Sequence, residues 1–108
     1  MSDRIGTIRA MLDRQGEDVF LRYSLGMEYA SAGENESAIA ELTRCIELDG
    51  AYLAAYVEMG KSLRAVGRLD EARATFAKVL SLAEAGGQIH MRDFIQQQLE
   101  SLGAGGSR

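Results

Sequence analysis

The sequence has no proline and no tryptophan, and its 108 residues include one cysteine and one histidine. A single cysteine cannot form an internal disulfide, so the composition does not require an oxidising compartment. The longest apolar run, residues 51–57, is far shorter than the roughly 20 residues of a membrane span. The start, Met-Ser-Asp-Arg, lacks the basic-then-apolar order of a signal peptide. We therefore expect a cytoplasmic protein.

Basic residues are few and are not clustered. Twelve Lys and Arg face sixteen Asp and Glu, which gives a net charge of −4. Because phosphate contacts need concentrated positive charge, this balance argues against a nucleic-acid binder. The length suits one ordered domain over residues 1–108, with a radius of gyration of roughly 13 Å if compact and more if elongated.

Four glycines recur at a constant interval of 17 residues, at Gly16, Gly33, Gly50 and Gly67. Between them the apolar residues follow helical spacing, so each interval predicts a helix and a turn. Glycine suits a helix end because it adopts the left-handed conformation without steric cost. The segments Glu34-Asn35-Glu36 and Arg68-Leu69-Asp70 carry polar groups able to cap the helices that follow. The chain is predicted to form antiparallel helical hairpins.

The full repeat is 34 residues long, twice the interval between these glycines, and therefore contains two helices. At this offset Gly26 aligns with Gly60, and Ala38 aligns with Ala72. Glycine inside a helix costs about 1 kcal/mol relative to alanine. We therefore predict that a neighbouring helix passes too close to Gly26 and Gly60 for a side chain.

These residues resemble the tetratricopeptide repeat, a helix-turn-helix unit of about 34 residues. The first copy, residues 19–52, carries Leu25, Gly26, Tyr29, Ala38 and Leu42 at the family's spacing. The second copy, residues 53–86, carries Tyr56, Met59, Gly60, Leu63, Ala72 and Phe76. Three departures are Arg22 at an aromatic position, and Gly50 and Glu84 in place of the proline that ends a unit.

Both flanks read as capping helices. Ile8, Met11 and Leu12 lie one period before Leu42, Cys45 and Ile46, so residues 4–15 predict a lone second helix of a preceding unit. Met91, Ile95, Leu99 and Leu102 form one apolar stripe, which predicts a closing helix over residues 88–102. Residues 103–108 are predicted to be a disordered tail. The expected fold is an all-α, right-handed solenoid of about six helices.

Residues that could support catalysis or cofactor binding are scarce. Residues 55–62 fit a relaxed phosphate-loop pattern ending in Gly60-Lys61-Ser62, but no strand precedes them, so nucleotide binding is only a remote alternative. His90 with Asp93 is too small a set for a closed metal site. Cys45 lies on an apolar stripe and is expected to be buried. We predict no enzyme activity, no metal and no cofactor.

The resemblance implies that the first helix of each unit lines a concave groove. Carried over, the groove positions are Phe20, Tyr23, Met27 and Ala30, and then Ala54, Val57, Lys61 and Arg64. The predicted peptide-binding residues are Phe20, Tyr23, Met27, Val57, Lys61 and Arg64. The alternative is that the apolar members pack on the N-terminal helix or on each other, and that the two cations are simply solvated.

The leading hypothesis is a non-enzymatic adaptor or scaffold, monomeric or weakly dimeric, that binds a partner helix or extended peptide with apolar anchors and an acidic flank. No nucleic acid or membrane partner is expected. The family's carboxylate clamp is not supported, because Tyr23 and Met27 replace its polar residues and Glu58 would repel an anion. The runner-up is a homodimerisation module. The spacing slip after Leu82 leaves open whether Arg92 or Asp93 faces the groove.

Overall fold

The computed structural model describes residues 3–106, which form six α-helices and no strand. In chain order these are α1 (Asp3–Gln15), α2 (Val19–Ser31), α3 (Asn35–Leu48), α4 (Leu53–Ala65), α5 (Leu69–Ala85) and α6 (Ile89–Gly106). Each helix packs on the next along the chain, and α2 also touches α4. The predicted all-α helical solenoid is confirmed. The radius of gyration of 14.3 Å exceeds the roughly 13 Å of a compact chain of this length.

Glycine ends α2, α4 and α5 by the same hydrogen-bonded turn. Gly33, Gly67 and Gly87 have φ of 79°, 83° and 73°. The N–H of the following residue reaches back to a carbonyl five residues earlier in each case: Glu34 to Tyr29, Arg68 to Leu63 and Gln88 to Ala83, each at 2.9 Å. These turns satisfy carbonyls that the helix end would otherwise leave unpaired.

Two local predictions were wrong. Gly50 does not take the left-handed conformation; the α3–α4 turn is held instead by Asp49, whose carboxylate accepts the N–H of Ala51 at 3.0 Å. Glu34 and Arg68 precede α3 and α5 without a capping side-chain hydrogen bond. A side-chain cap does form at Asp18, which accepts the N–H of Leu21 at 2.9 Å at the start of α2.

The close helix contacts predicted at the two internal glycines are confirmed. A Cβ added at Gly26 would lie 2.7 Å from Leu42 Cγ, and one added at Gly60 would lie 2.6 Å from Phe76 Cζ. Real side-chain carbons do not approach so closely without displacing their neighbour. Each glycine therefore sets how near the two helices of its unit can pack.

Arg22, which departs from the aromatic repeat position, joins α2 to α3. Its guanidinium binds Glu41 at 2.7 Å and Glu17 at 2.8 Å, and Arg44 binds Glu17 at 2.8 Å. The hydrogen bonds that its guanidinium donates to Glu17 and, with a smaller effect, to Glu41 raise the pKa of Arg22. At the matching position of the second unit, the hydroxyl of Tyr56 donates to the carbonyl of Gly50 at 2.8 Å. Both side chains therefore link neighbouring segments of the stack, by different chemistry.

The core is divided into two clusters along the stack. The first draws on α1 to α4 and contains Leu25, Leu42 and Cys45, while the second draws on α3 to α6 and contains Phe76 and Ile95. All five of these side chains are fully buried. Burial raises the pKa of the Cys45 thiol to about 11. The expectation of a buried cysteine is thereby confirmed.

The C-terminal helix extends past its predicted end. It continues to Gly106, so residues 103–106 are helical rather than part of the predicted tail, and residues 107–108 lie outside the described part of the chain. Each added residue contributes one more backbone hydrogen bond, and no proline stops the helix. At the other end, α1 begins at Asp3, one residue before the predicted start.

Candidate functional site

A crevice runs between the first helices of the two units. This α2/α4 crevice has a volume of about 320 Å³. Met27 and Ala30 line it from α2, and Glu58, Lys61 and Ser62 line it from α4. Ligand sites commonly have volumes from roughly 300 Å³ upward, so the crevice can admit a side chain or a short segment.

A second crevice, of about 470 Å³, separates α4 from α6. Ala54, Val57 and Glu58 line one wall of this α4/α6 crevice, and Met91 and Phe94 line the other. Glu58 borders both crevices, so they form one continuous surface.

The rim of the α4/α6 crevice settles where three polar residues of α6 lie. His90 lies at this rim and is exposed. Asp93 is also exposed, whereas Arg92 is partly buried near the turn between α5 and α6. Neither Arg92 nor Asp93 lines the α4/α6 crevice.

Met27 and Phe94 are apolar crevice residues that the core does not use. Neither residue belongs to the two core clusters, and Phe94 is 38% exposed. The sequence prediction included Met27 and missed Phe94. The available signal was the pair Gly86-Gly87, which delays the start of α6 by two positions relative to the interval between the starts of α2 and α4.

Tyr23 is held by a neighbouring ring rather than free in the groove. Its ring centroid lies 5.1 Å from that of Tyr52, with the planes tilted by 36°. The side chain also packs against the first core cluster. Burial, followed by the nearby Glu58 charge, raises the pKa of the Tyr23 phenol. Tyr23 therefore packs behind the two connected crevices and lines neither of them.

The two predicted groove cations, Lys61 and Arg64, differ in the contacts that their side chains make. Lys61 lies 3.4 Å from Glu58, and its side chain is 51% exposed. Arg64 donates to Gln98 Oε1 at 2.9 Å and to Ser101 Oγ at 2.7 Å, both on α6. Because these bonds already occupy its guanidinium, Arg64 joins α4 to α6, and Lys61 is the more accessible charge.

Replacing Arg64 should loosen the last helix. We expect Arg64→Ala to lower the free energy of unfolding by about 1 kcal/mol, since it removes two side-chain hydrogen bonds between helices. It should also speed hydrogen exchange in α6. Lys61→Ala, one turn earlier on α4, should change stability by less than about 0.5 kcal/mol, because exposed ion pairs contribute little. Equal effects of the two substitutions in urea denaturation would contradict this assignment.

Phe20 lies elsewhere, in a third crevice of about 400 Å³. This α1/α2 crevice is lined from α1 by Asp3, Arg4, Thr7 and Ile8, and from α2 by Phe20, Leu21, Ser24 and Glu28. Phe20 is 62% exposed. The structure thus brings Met27, Val57 and Lys61 to the two connected crevices and places Phe20 beside α1.

The structure also locates the phosphate-loop-like stretch. Residues 55–62 lie within α4, where the backbone N–H groups are bonded to carbonyls of the helix. Ser62 is only 3% exposed. Within residues 3–106, no group of three or more His, Cys, Asp or Glu side chains could hold a metal ion. No helix in that range is long and apolar enough to span a bilayer.

Known proteins share both the sequence pattern and this architecture. The tetratricopeptide repeat profile matches residues 21–52 and 53–85. A TPR repeat-containing protein of Pseudomonas aeruginosa is 35% identical over 80 residues, which are 74% of this chain and 76% of that protein. A solution structure from Bordetella parapertussis superposes with a TM-score of 0.85 and 26% identity, covering 96% of this chain and 90% of the other. The second TPR domain of human RPAP3, solved with the HSP70 peptide SGPTIEEVD, superposes with a TM-score of 0.70 and 27% identity. The superposition covers 85% of this chain and 78% of the RPAP3 domain.

Proposed function

We propose that this chain, which belongs to the tetratricopeptide repeat family, is a non-enzymatic module that binds a partner peptide or helix on the surface formed by α2, α4 and α6. The observation that carries the proposal is the continuous pair of crevices that meet at Glu58. A relative with 27% identity, the second TPR domain of human RPAP3, is described in complex with a peptide.

The chemistry of the two crevices favours a ligand with two apolar side chains. Met27 in one crevice and Phe94 in the other lie outside the core, so each can contact a ligand without disturbing packing. Between them stands Glu58, paired with Lys61. An acidic flank on the ligand would meet Lys61, because Arg64 is engaged by α6. The proposed contact residues are Met27, Val57, Lys61 and Phe94.

A peptide ending in several carboxylates does not suit this surface. Tyr23 and Met27 supply no positive charge, and the Glu58 carboxylate lies where the two crevices meet. Lys61 offsets it at 3.4 Å. We therefore expect the HSP70 peptide SGPTIEEVD to bind this chain at least about tenfold more weakly than a peptide selected for it, from the cost of like-charge contact.

The proposal is tested by selecting binders from a random peptide display library on the full chain. The strongest peptide is then titrated against Met27→Glu and Phe94→Glu variants that circular dichroism shows to be folded. Each substitution should weaken binding at least about tenfold, because it places a charge against an apolar anchor. Lys78→Glu on the exposed face of α5 serves as the matched control. Affinity that changes with Lys78→Glu and not with Met27→Glu would contradict the proposed surface.

Two alternatives predict different behaviour in the same samples. A homodimerisation module would show a mass that rises with concentration and falls on Met27→Glu in light scattering. Nucleotide binding through residues 55–62 would raise the melting temperature on addition of ATP, which we do not expect because Gly60 packs against Phe76 and Ser62 is buried. The absence of catalysis and the cytoplasmic location remain predictions.

A further inference from the structure

The α1/α2 crevice lies where the repeat pattern places a helix that the described residues do not supply. Ile8 lies one repeat before Leu42 and two repeats before Phe76. Leu42 and Phe76 each lie against the glycine of the first helix in their own unit, Gly26 and Gly60. Ile8 has the same repeat position, yet no helix precedes α1 in the described range, and Ile8 lines an open crevice.

The face of α2 in this crevice corresponds to the face that α4 and α6 present to α2 and α4, respectively. Ser24 and Glu28 line the α1/α2 crevice; the residues one repeat later, Glu58 and Ser62, line the α2/α4 crevice. With the two-residue shift of α6, the counterpart of Glu28 on that helix is Gln98, which accepts a hydrogen bond from Arg64 of α4. On α4 and α6 this face therefore lies toward α2 and α4, respectively, whereas no helix of residues 3–106 has that place relative to α2.

We propose that the α1/α2 crevice binds an amphipathic helix of a partner protein, which takes the place that a first helix has in each of the two units. The partner helix carries a glycine opposite Ile8, because the equivalent Leu42 and Phe76 leave no room for a Cβ. Four residues later it carries Arg or Lys, because Arg64 follows Gly60 by four residues and bonds the counterpart of Glu28. Phe20, 62% exposed, supplies apolar contact at this crevice.

The charges of the crevice agree with a basic ligand. Asp3 and Glu28 contribute two carboxylates, and Arg4 contributes one guanidinium, which binds Glu28 at 3.0 Å. Arg4 occupies the repeat position of Ala38 and Ala72, where the units keep a small residue. Its side chain is 78% exposed, so it can move aside when a helix docks. Arg4→Ala should therefore tighten binding about threefold, by restoring the small residue.

The probe for this site is a synthetic peptide with the sequence of residues 52–67, which contains Gly60 and Arg64. It is acetylated, amidated and labelled with fluorescein, and the full chain is titrated into it while anisotropy is measured. We expect saturable binding, and at least about tenfold weaker binding of a peptide with Gly60→Leu, because the added side chain would collide with Ile8. Equal affinities for the two peptides, or no saturable binding of either, would overturn the proposal.

A charge exchange locates the peptide on the protein. Glu28→Lys should weaken binding of the original peptide about fivefold and should strengthen binding of a peptide with Arg64→Glu. The variant should therefore reverse the order of the two peptides' affinities. Met27→Glu, which alters the α2/α4 crevice, should leave the affinity unchanged. Loss of peptide binding in the Met27→Glu variant, with binding retained in the Phe20→Ser variant, would overturn the proposal. The peptide would then occupy the surface of the proposed function.

Self-association is separated by light scattering of the chain alone. We expect a monomer, because the chain's own helices that carry Gly26 and Gly60 are already packed within their units. A dimer that Phe20→Ser dissociates would overturn the assignment of a foreign helix, as the occupant would be a second copy.

Discussion

Adding one methyl group at Gly60 is expected to destabilise the protein by about 1 to 2 kcal/mol. The new Cβ would lie 2.6 Å from Phe76 Cζ, and the Phe76 ring is fully buried, so it cannot swing into solvent. Overpacking costs about 1 to 3 kcal/mol, and a contact this short with a confined ring belongs in the upper half of that range. The higher helix propensity of alanine offsets about 1 kcal/mol. The melting temperature should fall by about 4 to 8 °C per kcal/mol.

The same substitution at Gly6 should have the opposite effect on stability. Gly6 also lies inside a helix, but a Cβ there would meet nothing within 4 Å. Gly6→Ala should therefore raise stability by about 0.5 to 1 kcal/mol through helix propensity alone. Calorimetry of the two variants side by side separates packing from propensity. Stabilisation by both substitutions would show that α4 and α5 are not in close contact at Gly60.

A double variant tests which neighbour causes the cost. Phe76→Leu removes Cζ, Cε1 and Cε2, the three atoms nearest the added carbon. In that background Gly60→Ala should cost less stability than it does in the wild type. The coupling energy between the two substitutions should therefore be opposite in sign to the cost of Gly60→Ala alone. Additive effects would assign the cost to backbone distortion instead.

Alkylation of Cys45 is the second large effect that we expect. The thiol is fully buried, and burial raises its pKa from 9.0 to about 11. At pH 8 these two pKa values make the thiolate fraction about 100-fold lower than in the unfolded chain. Iodoacetamide should therefore modify the native protein at least about 100-fold more slowly than the guanidinium-denatured protein. Ser81→Cys in a Cys45→Ala background provides an exposed control thiol. Equal rates for native and denatured protein would contradict the burial of Cys45.

The same raised pKa predicts how stability depends on pH. Below the unfolded-state pKa near 9 the thiol is neutral in both states, so it contributes no pH dependence. Between pH 9 and about 11 the unfolded chain loses the proton first, and stability falls. Tyr23, Tyr52 and Tyr56 also have pKa values raised by burial and act in the same direction. Cys45→Val, which copies the buried Val79 one period later, should reduce the slope, and an unchanged slope would contradict the role of Cys45.

The candidate surface was predictable only in part. The resemblance to the tetratricopeptide repeat predicted Met27, Val57 and Lys61, and the structure places these three residues along the two connected crevices. Phe94 was missed because the two-residue shift of α6 changes which side chains reach α4. Arg64 was predicted as a cation available to a ligand, yet it bonds side chains of α6 that are distant in sequence. Such pairings depend on the distance between helices, which spacing along the chain does not encode.

The sequence by itself determined the repeat, the helix ends at Gly33 and Gly67, and the close contacts at Gly26 and Gly60, because backbone conformation and periodic burial are properties of local residue type. Only the tertiary structure decided that Glu58 joins two crevices, and that Phe20 borders a third beside α1. The physical reason is that a side chain's neighbours across helices are selected by packing of the whole stack, where a shift of two residues exchanges one set of contacts for another.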